Sequence, residues 1–299
     1  MDIDVLIVGG SFAGLSAAMQ LVRGRRKVVV LDTNQPRNRF ARASHGVFGL
    51  DGKSPAEIRA TALSQLALYP GFQLVEDAAV GVEKLRGGFE VAAESDAVYR
   101  AKKLILASGI TDQLPDLPGV KAFWGKSVIH CPYCHGYELS DRPLGVFATS
   151  ELSFHQAAMI PDWGATTLFT QGQFNPEGEV LGHLIDRGVV LEETPITNLL
   201  GAKGQLQAVL LADGREIPLE GLYVSPKAML ASPLIRMLDL ALEDSLVGSI
   251  VKVDAFKESS VNGVFVAGDL SNPMQSGTFA IASGTMAGVA AHRSLIFNK

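Results

Sequence analysis

The sequence predicts an α/β protein that contains two doubly wound domains. A β-turn-α-β pattern opens the chain, and the same pattern restarts near its middle. The two patterns comprise strands at 2–8 and 27–31 around a helix at 15–22, and strands at 144–148 and 166–170 around a helix that starts near 153. A chain of 299 residues is also long enough to bury two hydrophobic cores. Strands that alternate with helices are typical of parallel sheets covered on both faces, so we expect two three-layer, Rossmann-like domains.

Composition narrows the class of protein and its location. A net charge of −5, with no run of Lys or Arg that suggests an anionic membrane surface, gives no support for a nucleic-acid or membrane partner. The uncharged stretches 5–22 and 270–291 are long enough to cross a bilayer, but they are dense in Gly, Ala and Ser. Two cysteines are too few for a secreted disulfide scaffold, so we expect a cytoplasmic protein.

The first turn, residues 9–14, carries a glycine pattern typical of dinucleotide binding. Gly9 permits a tight turn, Gly14 lets the helix pack close to the strand, and the N–H groups at the helix start can hold a pyrophosphate. Ser11 replaces the middle glycine. Asp32 ends the second strand where a ribose-binding carboxylate belongs, although a solvated carboxylate after an ordinary α/β turn is the alternative. The candidate residues here are Gly9, Ser11, Phe12, Ala13, Gly14 and Asp32.

The only two cysteines form a C-x-x-C sequence at Cys131 and Cys134. A single pair of this kind is typical of dithiol and disulfide chemistry, and a helix N-terminus at the pair would lower the pKa of the attacking thiol. His135 follows directly and can transfer a proton or stabilise a thiolate near neutral pH. A zinc site that includes His130 is an alternative, but ligands crowded into one short segment make a poor tetrahedral set. We therefore predict a redox-active pair and no metal.

Two further turns complete a pattern that spans nearly the whole chain. A strand at 102–107 ends in Ala-Ser-Gly at 107–109, and a strand at 263–267 leads into Gly268-Asp269 and a helix of small residues with Gln275 near its start. Together with the first glycine turn and the C-x-x-C, in this order, these features resemble the thioredoxin-reductase-like flavoproteins. The resemblance implies a homodimer that binds FAD.

The resemblance also implies a domain order and a set of cofactor contacts. An FAD domain of residues 1–113 and 247–299 would be split by an inserted module, 114–246, that carries the C-x-x-C; Pro and Gly within 111–119 suit a hinge. Asp269 would bind the ribityl chain, and Gln275 and Ser276 would meet the isoalloxazine. His45 falls where the family has a polar residue beside the flavin, or it is an ordinary loop histidine. The remaining implied contacts are Val80, Ala107, Gly109 and Gly268.

The inserted module departs from the family at its nucleotide turn. Residues 148–153 read Ala-Thr-Ser-Glu-Leu-Ser, without any of the three expected glycines, and Glu151 adds negative charge near the expected phosphates. Residues 170–175, where arginines would bind the 2′-phosphate, contain no basic residue. We therefore expect no NADPH site of the usual kind, with a divergent but working site as the alternative.

The sequence C-P-Y-C-H-G-Y-E resembles one branch of the family. That branch includes dithiol oxidases that close disulfides in small natural products such as gliotoxin and holomycin, and NADPH-independent cyanobacterial relatives such as the diflavin-linked disulfide oxidoreductase. The family pattern makes Cys134 the cysteine nearer the flavin, Cys131 the one that exchanges with substrate, and His135 the proton carrier.

We therefore predict an FAD-dependent dithiol/disulfide oxidoreductase that works without NADPH. Its substrate would be a thioredoxin-like protein or a small dithiol or disulfide, and its other redox partner a second flavin, an electron-transfer protein or oxygen. The alternatives are an NADPH-dependent thioredoxin reductase, a small-molecule dithiol oxidase, and a non-enzymatic flavin-bound redox sensor.

Overall fold

The computed structural model describes residues 3–297. The strands are β1 (Ile3–Val8), β2 (Val28–Asp32), β3 (Phe72–Glu76), β4 (Ala79–Leu85), β5 (Gly88–Ala93), β6 (Val98–Leu106), β7 (Ile110–Gln113), β8 (Val128–Ile129), β9 (Leu144–Phe147), β10 (Thr166–Phe169), β11 (Val190–Glu192), β12 (Ile196–Ala202), β13 (Gln205–Leu211), β14 (Glu216–Pro218), β15 (Gly221–Val224), β16 (Lys227–Leu230), β17 (Leu242–Ser245), β18 (Gly248–Val251) and β19 (Val264–Val266). The helices are α1 (Phe12–Arg23), α2 (Pro55–Leu66), α3 (Val120–Phe123), α4 (Pro132–His135), α5 (Leu152–Met159), α6 (Gly178–Asp186), α7 (Leu234–Met237) and α8 (Gly277–Phe297).

The chain divides into two compact units. The first contains the chain up to Arg39, Val47–Thr111 and the chain from Ala228 onward, and the second contains Phe40–Gly46 and Asp112–Lys227. Residues 228–246, which the sequence reading placed in the inserted module, group with the first unit. Side chains of this segment explain the difference, because Leu234, Ile235 and Leu240 are buried in the same hydrophobic cluster as strands β1 and β6.

The first unit is built on a seven-stranded sheet in the order β3-β2-β1-β6-β5-β4, with β19 also paired to β6. Strands β3, β2, β1, β6 and β19 run parallel, whereas β4 and β5 are antiparallel. Residues 5–8, 28–31, 104–106 and 264–266 of the parallel strands are buried, as their apolar sequence requires. Helix α8 lies against α1 so closely that a Cβ added at Gly284 or Gly288 would overlap the carbonyl oxygen of Ala13 or Ala17. Close helix packing therefore accounts for the small, uncharged residues near the C-terminus, and no helix within residues 3–297 is long and apolar enough to cross a membrane.

The second unit is built on a five-stranded parallel sheet in the order β11-β10-β9-β15-β8, with a three-stranded antiparallel sheet of β12, β13 and β14. The sequence β9-α5-β10 confirms the predicted restart of the βαβ pattern, within about one residue at the strand and helix ends. Phe40–Gly46 groups with this unit, where Phe40 lies against Gly125. Both units thus have the doubly wound architecture that the sequence predicts.

Candidate active site

The two cysteines form a disulfide directly after the edge strand of the second unit. Strand β8 ends at Ile129, and Cys131 then caps the single helical turn of α4. Cys131 and Cys134 are disulfide-bonded with their Cα atoms 5.3 Å apart, and both residues are partly exposed. Within residues 3–297, no group of three or more His, Cys, Asp or Glu side chains is arranged to hold a metal ion. With both sulfurs in a disulfide, the structure gives no support to the zinc alternative that included His130.

Side chains from elsewhere in the second unit fix this segment. Gln156 of α5 donates a hydrogen bond of 2.8 Å from Nε2 to the carbonyl oxygen of His130. Trp163 packs edge-on against Tyr133, with ring centres 5.8 Å apart, and lies so close to Gly136 that a Cβ there would come within 2.9 Å of the indole ring. Neither Gln156 nor Trp163 was predicted from sequence, because both lie more than 20 residues from the cysteines and belong to no motif. They hold the disulfide in a fixed position on the sheet.

His135 directly follows the second cysteine of the disulfide, and it is partly buried. Burial lowers the pKa of His135, and the charge of His45 lowers it further, whereas the Glu138 carboxylate and the Cys131 backbone act in the opposite direction. The net result is a pKa below the ordinary value for histidine. The Nδ1 atom is buried, and no hydrogen bond of good geometry reaches it within the described chain. A neutral imidazole at pH 7 can accept a proton from a thiol.

Glu138 links His135 to two further groups. Its Oε1 atom lies 3.4 Å from Nε2 of His45, so the structure gives His45 a partner in the second unit that sequence reasoning did not predict. Tyr223 on β15 is fully buried, and its hydroxyl makes no hydrogen bond within residues 3–297. Burial, together with the charge of Glu138, raises the pKa of Tyr223, which keeps the phenol neutral. We call these four residues the acid–base cluster: His45, His135, Glu138 and Tyr223.

The first unit contains a glycine turn of the kind that holds a pyrophosphate. Gly9 has a φ of +105°, and a Cβ there would overlap the Ala107 carbonyl group. A Cβ at Gly14 would in turn overlap the carbonyl oxygen of Gly9. Ser11 caps α1 without any side-chain hydrogen bond, so the first N–H groups of that helix have no capping oxygen. The Oγ atom of Ser108, beside this turn, is buried and unpaired within the described chain. These features fit a phosphate-bearing cofactor that approaches the backbone closely.

Asp32 is held at the end of β2 by two groups. Its Oδ1 atom accepts a hydrogen bond from the Gly10 N–H at 2.9 Å, and its Oδ2 atom lies 2.6 Å from Nη2 of Arg59. Arg59 also donates from Nε to the Gly10 carbonyl oxygen at 2.8 Å. The N–H of Asp77 donates to the Asp32 carbonyl oxygen, and Val80, three residues later, sits at a bulge in the pairing of β4 with β5. A bulged residue has backbone groups outside the ladder, which suits the cofactor contact predicted for Val80.

Three predicted motifs converge because their strands are neighbours. Strands β1, β6 and β19 are adjacent and parallel, so the turns that follow them meet at one edge of the sheet. These turns contain Gly9, Gly109 and Gly268. Gly109 and Gly268 have φ values of +70° and +73°, and the Gly268 N–H donates to Oγ of Ser283 at 2.9 Å. A Cβ added at Gly268 would lie 3.1 Å from the Cβ atom of Ala13, at the start of α1.

One arginine connects two of the residues that the resemblance assigns to the flavin. Nη1 of Arg37 lies 3.1 Å from Oδ2 of Asp269 and 2.8 Å from Oε1 of Gln275. Ser276 accepts a hydrogen bond from the Phe279 N–H and so caps the start of α8. Arg37 was missed from sequence, since it lies more than 200 residues from its partners. It places a positive charge beside the residues that the resemblance assigns to the flavin.

The nucleotide turn of the second unit is occupied by side chains. The Thr149 N–H donates to Oγ of Ser153 at 3.1 Å, and Oγ1 of Thr149 donates to the Ser225 carbonyl oxygen at 3.1 Å. Glu151, at the N-cap of α5, makes no side-chain capping bond. In the usual fingerprint, glycines leave this space open for phosphate. Here the side chains of Thr149 and Ser153 form hydrogen bonds within the protein, and the Thr149 N–H is bound by Ser153.

A cavity of about 390 Å³ adjoins this turn at the carboxyl ends of β9 and β10. It is lined by Asp116, Leu117, Phe147, Ala148, Thr149, Gln171, Gln173, Phe174, Pro195 and Ile196. None of these described lining residues is basic. Gln171 is buried, and its amide donates to the Phe169 carbonyl oxygen and accepts from the Ile196 N–H. The cavity thus offers no cation for a 2′-phosphate.

Comparisons with known proteins identify the family of this chain and several relatives that cover almost all of it. The sequence profile of the pyridine nucleotide-disulphide oxidoreductase family matches residues 3–157. A protein named thioredoxin reductase tcpT, from Claviceps purpurea, is 32% identical over 98% of this chain and 94% of its own. Thioredoxin reductase sirT from Leptosphaeria maculans is 30% identical over 95% of this chain and 92% of its own. The crystal structure of an oxidoreductase from Agrobacterium tumefaciens superposes with a TM-score of 0.95 at 43% identity and covers 100% of both chains.

Proposed function

We infer a mechanism for this chain from its family: it belongs to the pyridine nucleotide-disulphide oxidoreductases and is a flavin-dependent disulfide oxidoreductase. We propose that it exchanges electrons with a dithiol or disulfide substrate through Cys131 and Cys134, without NADPH. One observation carries this proposal: a partly exposed disulfide next to a histidine of lowered pKa, in a unit whose nucleotide turn is filled by side chains.

In the proposed exchange, the Cys131–Cys134 disulfide oxidises a dithiol substrate. A substrate thiolate attacks Sγ of Cys131, the Cys131–Cys134 bond breaks, and Cys134 leaves as a thiolate. The second substrate thiolate attacks the substrate sulfur of the mixed disulfide, which forms the substrate disulfide and releases Cys131. Two electrons then reside on the cysteine pair. His135, neutral at pH 7 because burial lowers its pKa, accepts a proton from a substrate thiol. Reduction of a disulfide substrate is the same sequence in reverse.

FAD is the cofactor that the family uses, and the residues of the first unit fit it. The proposed pyrophosphate contacts are the backbone around Gly9 and the start of α1, and the proposed ribose contact is Asp32. Arg37 orients Asp269 and Gln275. When bound, FAD supplies a two-electron acceptor or donor for the cysteine pair.

Independence from NADPH is supported by the second unit's own residues. Thr149 and Ser153 fill the turn, Glu151 adds negative charge, and the adjoining cavity has no basic residue in its described lining. Binding a nucleotide phosphate without arginine or lysine, beside a carboxylate, is electrostatically unfavourable. The proposed redox partner on the flavin side is therefore oxygen, a second flavin or an electron-transfer protein.

The substrate side of the disulfide is flanked by exposed aromatic rings. Tyr133 lies between the cysteines in sequence and is 73% exposed, and Tyr137 is 83% exposed. Exposed tyrosines provide flat apolar contacts with a polar end, which suits a protein surface or a small cyclic dithiol. Of these two kinds of substrate, the protein surface of a thioredoxin-like partner is the one that the relatives named thioredoxin reductase favour.

Turnover of a dithiol by the FAD-loaded protein tests this proposal. With dithiothreitol and oxygen and no NADPH, we expect steady oxidation that is abolished in Cys131→Ser. His135→Gln should lower kcat/KM by about 10²-fold or more, as expected for a lost proton-transfer group. His155→Gln, a change of the same type at an exposed position on α5, is the matched control and should be neutral. Unchanged turnover in Cys131→Ser, or equal effects of the two histidine variants, would contradict the proposal.

A further inference from the structure

A second pocket, of about 400 Å³, lies in the first unit at the opposite end of the sheet from the glycine turn. Its walls are the end of α1, the segment that leads into β2, and the loop 69–71 that leads into β3. Because β1, β2 and β3 are parallel, this pocket adjoins their amino ends, whereas the predicted flavin site adjoins their carboxyl ends. Four of its lining residues are basic: Arg23, Arg25, Arg26 and Lys27. We call it the basic pocket.

Within residues 3–297, no carboxylate forms an ion pair with the cations of the basic pocket. Arg23 donates to the Tyr69 hydroxyl at 3.1 Å. The Nε atom of Arg26 is buried without a hydrogen-bond partner in the described chain. Arg23, Arg25 and Lys27 are exposed, and Arg26 is half-buried. A buried N–H donor such as Nε of Arg26 costs free energy unless something binds it.

Neither Asp4 nor the C-terminus of α1 neutralises these cations. The Asp4 carboxylate interacts electrostatically with Arg26, but it already accepts a hydrogen bond of 2.8 Å from Nζ of Lys102. Burial opposes ionisation of Asp4, yet the hydrogen bonds from Lys102 and the Lys27 N–H, together with the charge of Arg26, lower its pKa. The C-terminus of α1 contributes only about half a negative charge, which cannot balance four cations. The overall charge of −5 conceals this local excess of positive charge.

One residue of this pocket, Arg25, has a left-handed backbone conformation. Helix α1 ends with hydrogen bonds from the Arg26 N–H to the Leu21 carbonyl oxygen, and from the Arg25 N–H to the Val22 carbonyl oxygen. This pattern requires a left-handed residue, and Arg25 takes that role with a φ of +60°. Glycine is the favoured residue in such a position, and an arginine there strains the backbone. Arg25 thus lines the pocket from a left-handed backbone position.

We propose that the basic pocket binds a phosphorylated small molecule that carries at least two negative charges. Arginine forks match the oxygens of a phosphate group in pairs, and three arginines with one lysine can neutralise a doubly charged group. Tyr69, Pro70 and Val22 form an apolar wall for the rest of the ligand. A pocket of this volume suits a small molecule, and its place at the amino ends of the strands separates it from the predicted flavin site.

Calorimetric titration of the FAD-loaded protein with inorganic pyrophosphate tests this site. Arg25→Gly removes a pocket charge and relieves the left-handed backbone, so we expect about tenfold weaker binding with an unchanged or higher Tm. Lys203→Gly is the matched control, because Lys203 is an exposed cation with a φ of +55° in the other unit. Its binding should equal that of the unaltered protein. Arg26→Met, which keeps the apolar stem, should also weaken binding about tenfold.

Three results would overturn the proposal. The first is an absence of pyrophosphate binding at millimolar concentration and low salt. The second is an equal affinity of Arg25→Gly and Lys203→Gly for pyrophosphate. The third is attachment of the protein to phosphatidylglycerol vesicles without any binding of pyrophosphate. The last result would assign the four cations to a lipid surface instead. Raising the salt concentration should weaken pyrophosphate binding in the unaltered protein, since the contacts are ionic.

Discussion

Replacing Gly14 with alanine tests the close approach of α1 to β1, on which the proposed pyrophosphate site depends. Gly14 lies in the first turn of α1, and an added Cβ would overlap the carbonyl oxygen of Gly9 and come within 3.3 Å of Ile7. The obstructing atom is backbone, so it cannot move aside as a flexible side chain would. The helix must therefore shift relative to the strand, and with it the N–H groups proposed to hold phosphate.

The size of the effect follows from two opposing contributions. Glycine-to-alanine changes inside helices stabilise by about 0.5–1 kcal/mol when the added methyl group has space. Overpacking against a fixed neighbour costs about 1–3 kcal/mol. We expect Gly14→Ala to lower the free energy of unfolding by up to about 2 kcal/mol. Because the shifted helix also carries the N–H groups proposed to hold phosphate, FAD binding should weaken about 5- to 100-fold.

Gly182→Ala provides the matched control. Gly182 lies within α6, and an added Cβ there would have no neighbour within 4 Å. This variant should gain about 0.5–1 kcal/mol and keep its flavin. Thermal unfolding and the ratio of visible flavin absorbance to protein absorbance after dialysis measure both effects. If Gly14→Ala retains full flavin and melts as high as Gly182→Ala, the proposed role of close packing at the first turn is wrong.

Three further predictions concern the acid–base cluster. Glu138→Gln removes the charge that raises the pKa of His135, so the acid limb of kcat/KM for dithiol oxidation should move to lower pH, because the base then stays neutral further into the acid range. His45→Asn removes a charge that lowers the same pKa, so that limb should move to higher pH; a shift of both variants in one direction would exclude the proposed electrostatics. Tyr223→Phe deletes a buried hydroxyl that makes no hydrogen bond in the described chain, so the free energy of unfolding should stay unchanged or rise by about 1 kcal/mol. Chemical denaturation checks this value, and a loss above about 1 kcal/mol would reveal a partner for the hydroxyl.

Local patterns predicted the elements of the fold well. The N-terminal strand, turn and helix follow from apolar periodicity and from glycines whose roles depend on immediate neighbours. The absence of glycine from residues 148–153 is equally local, and the structure shows Thr149 and Ser153 filling that turn. Segment 228–246 was harder to place, because its burial against β1 and β6 depends on strand order rather than on its own sequence.

Contacts between distant segments were the part of the site that sequence reasoning missed. Arg59 binds Asp32 across 27 residues, and Arg37 binds Asp269 across 232. Glu138 was within reach of prediction, since it follows His135 by three residues, but its contact with His45 was not. A lone arginine or glutamate carries no periodic signal, so only the three-dimensional arrangement identifies its partner.

The most direct test of independence from NADPH is an anaerobic titration of the FAD-loaded protein with NADPH, followed at the main visible band of the flavin. We predict no bleaching after several equivalents of NADPH, and prompt bleaching when dithiothreitol is then added to the same sample. The second response would arise from electrons that enter through Cys131 and Cys134, and it should be lost in Cys131→Ser. Bleaching at near-stoichiometric NADPH would contradict the proposal, because it would mean that the second unit binds and uses the nucleotide despite its filled turn.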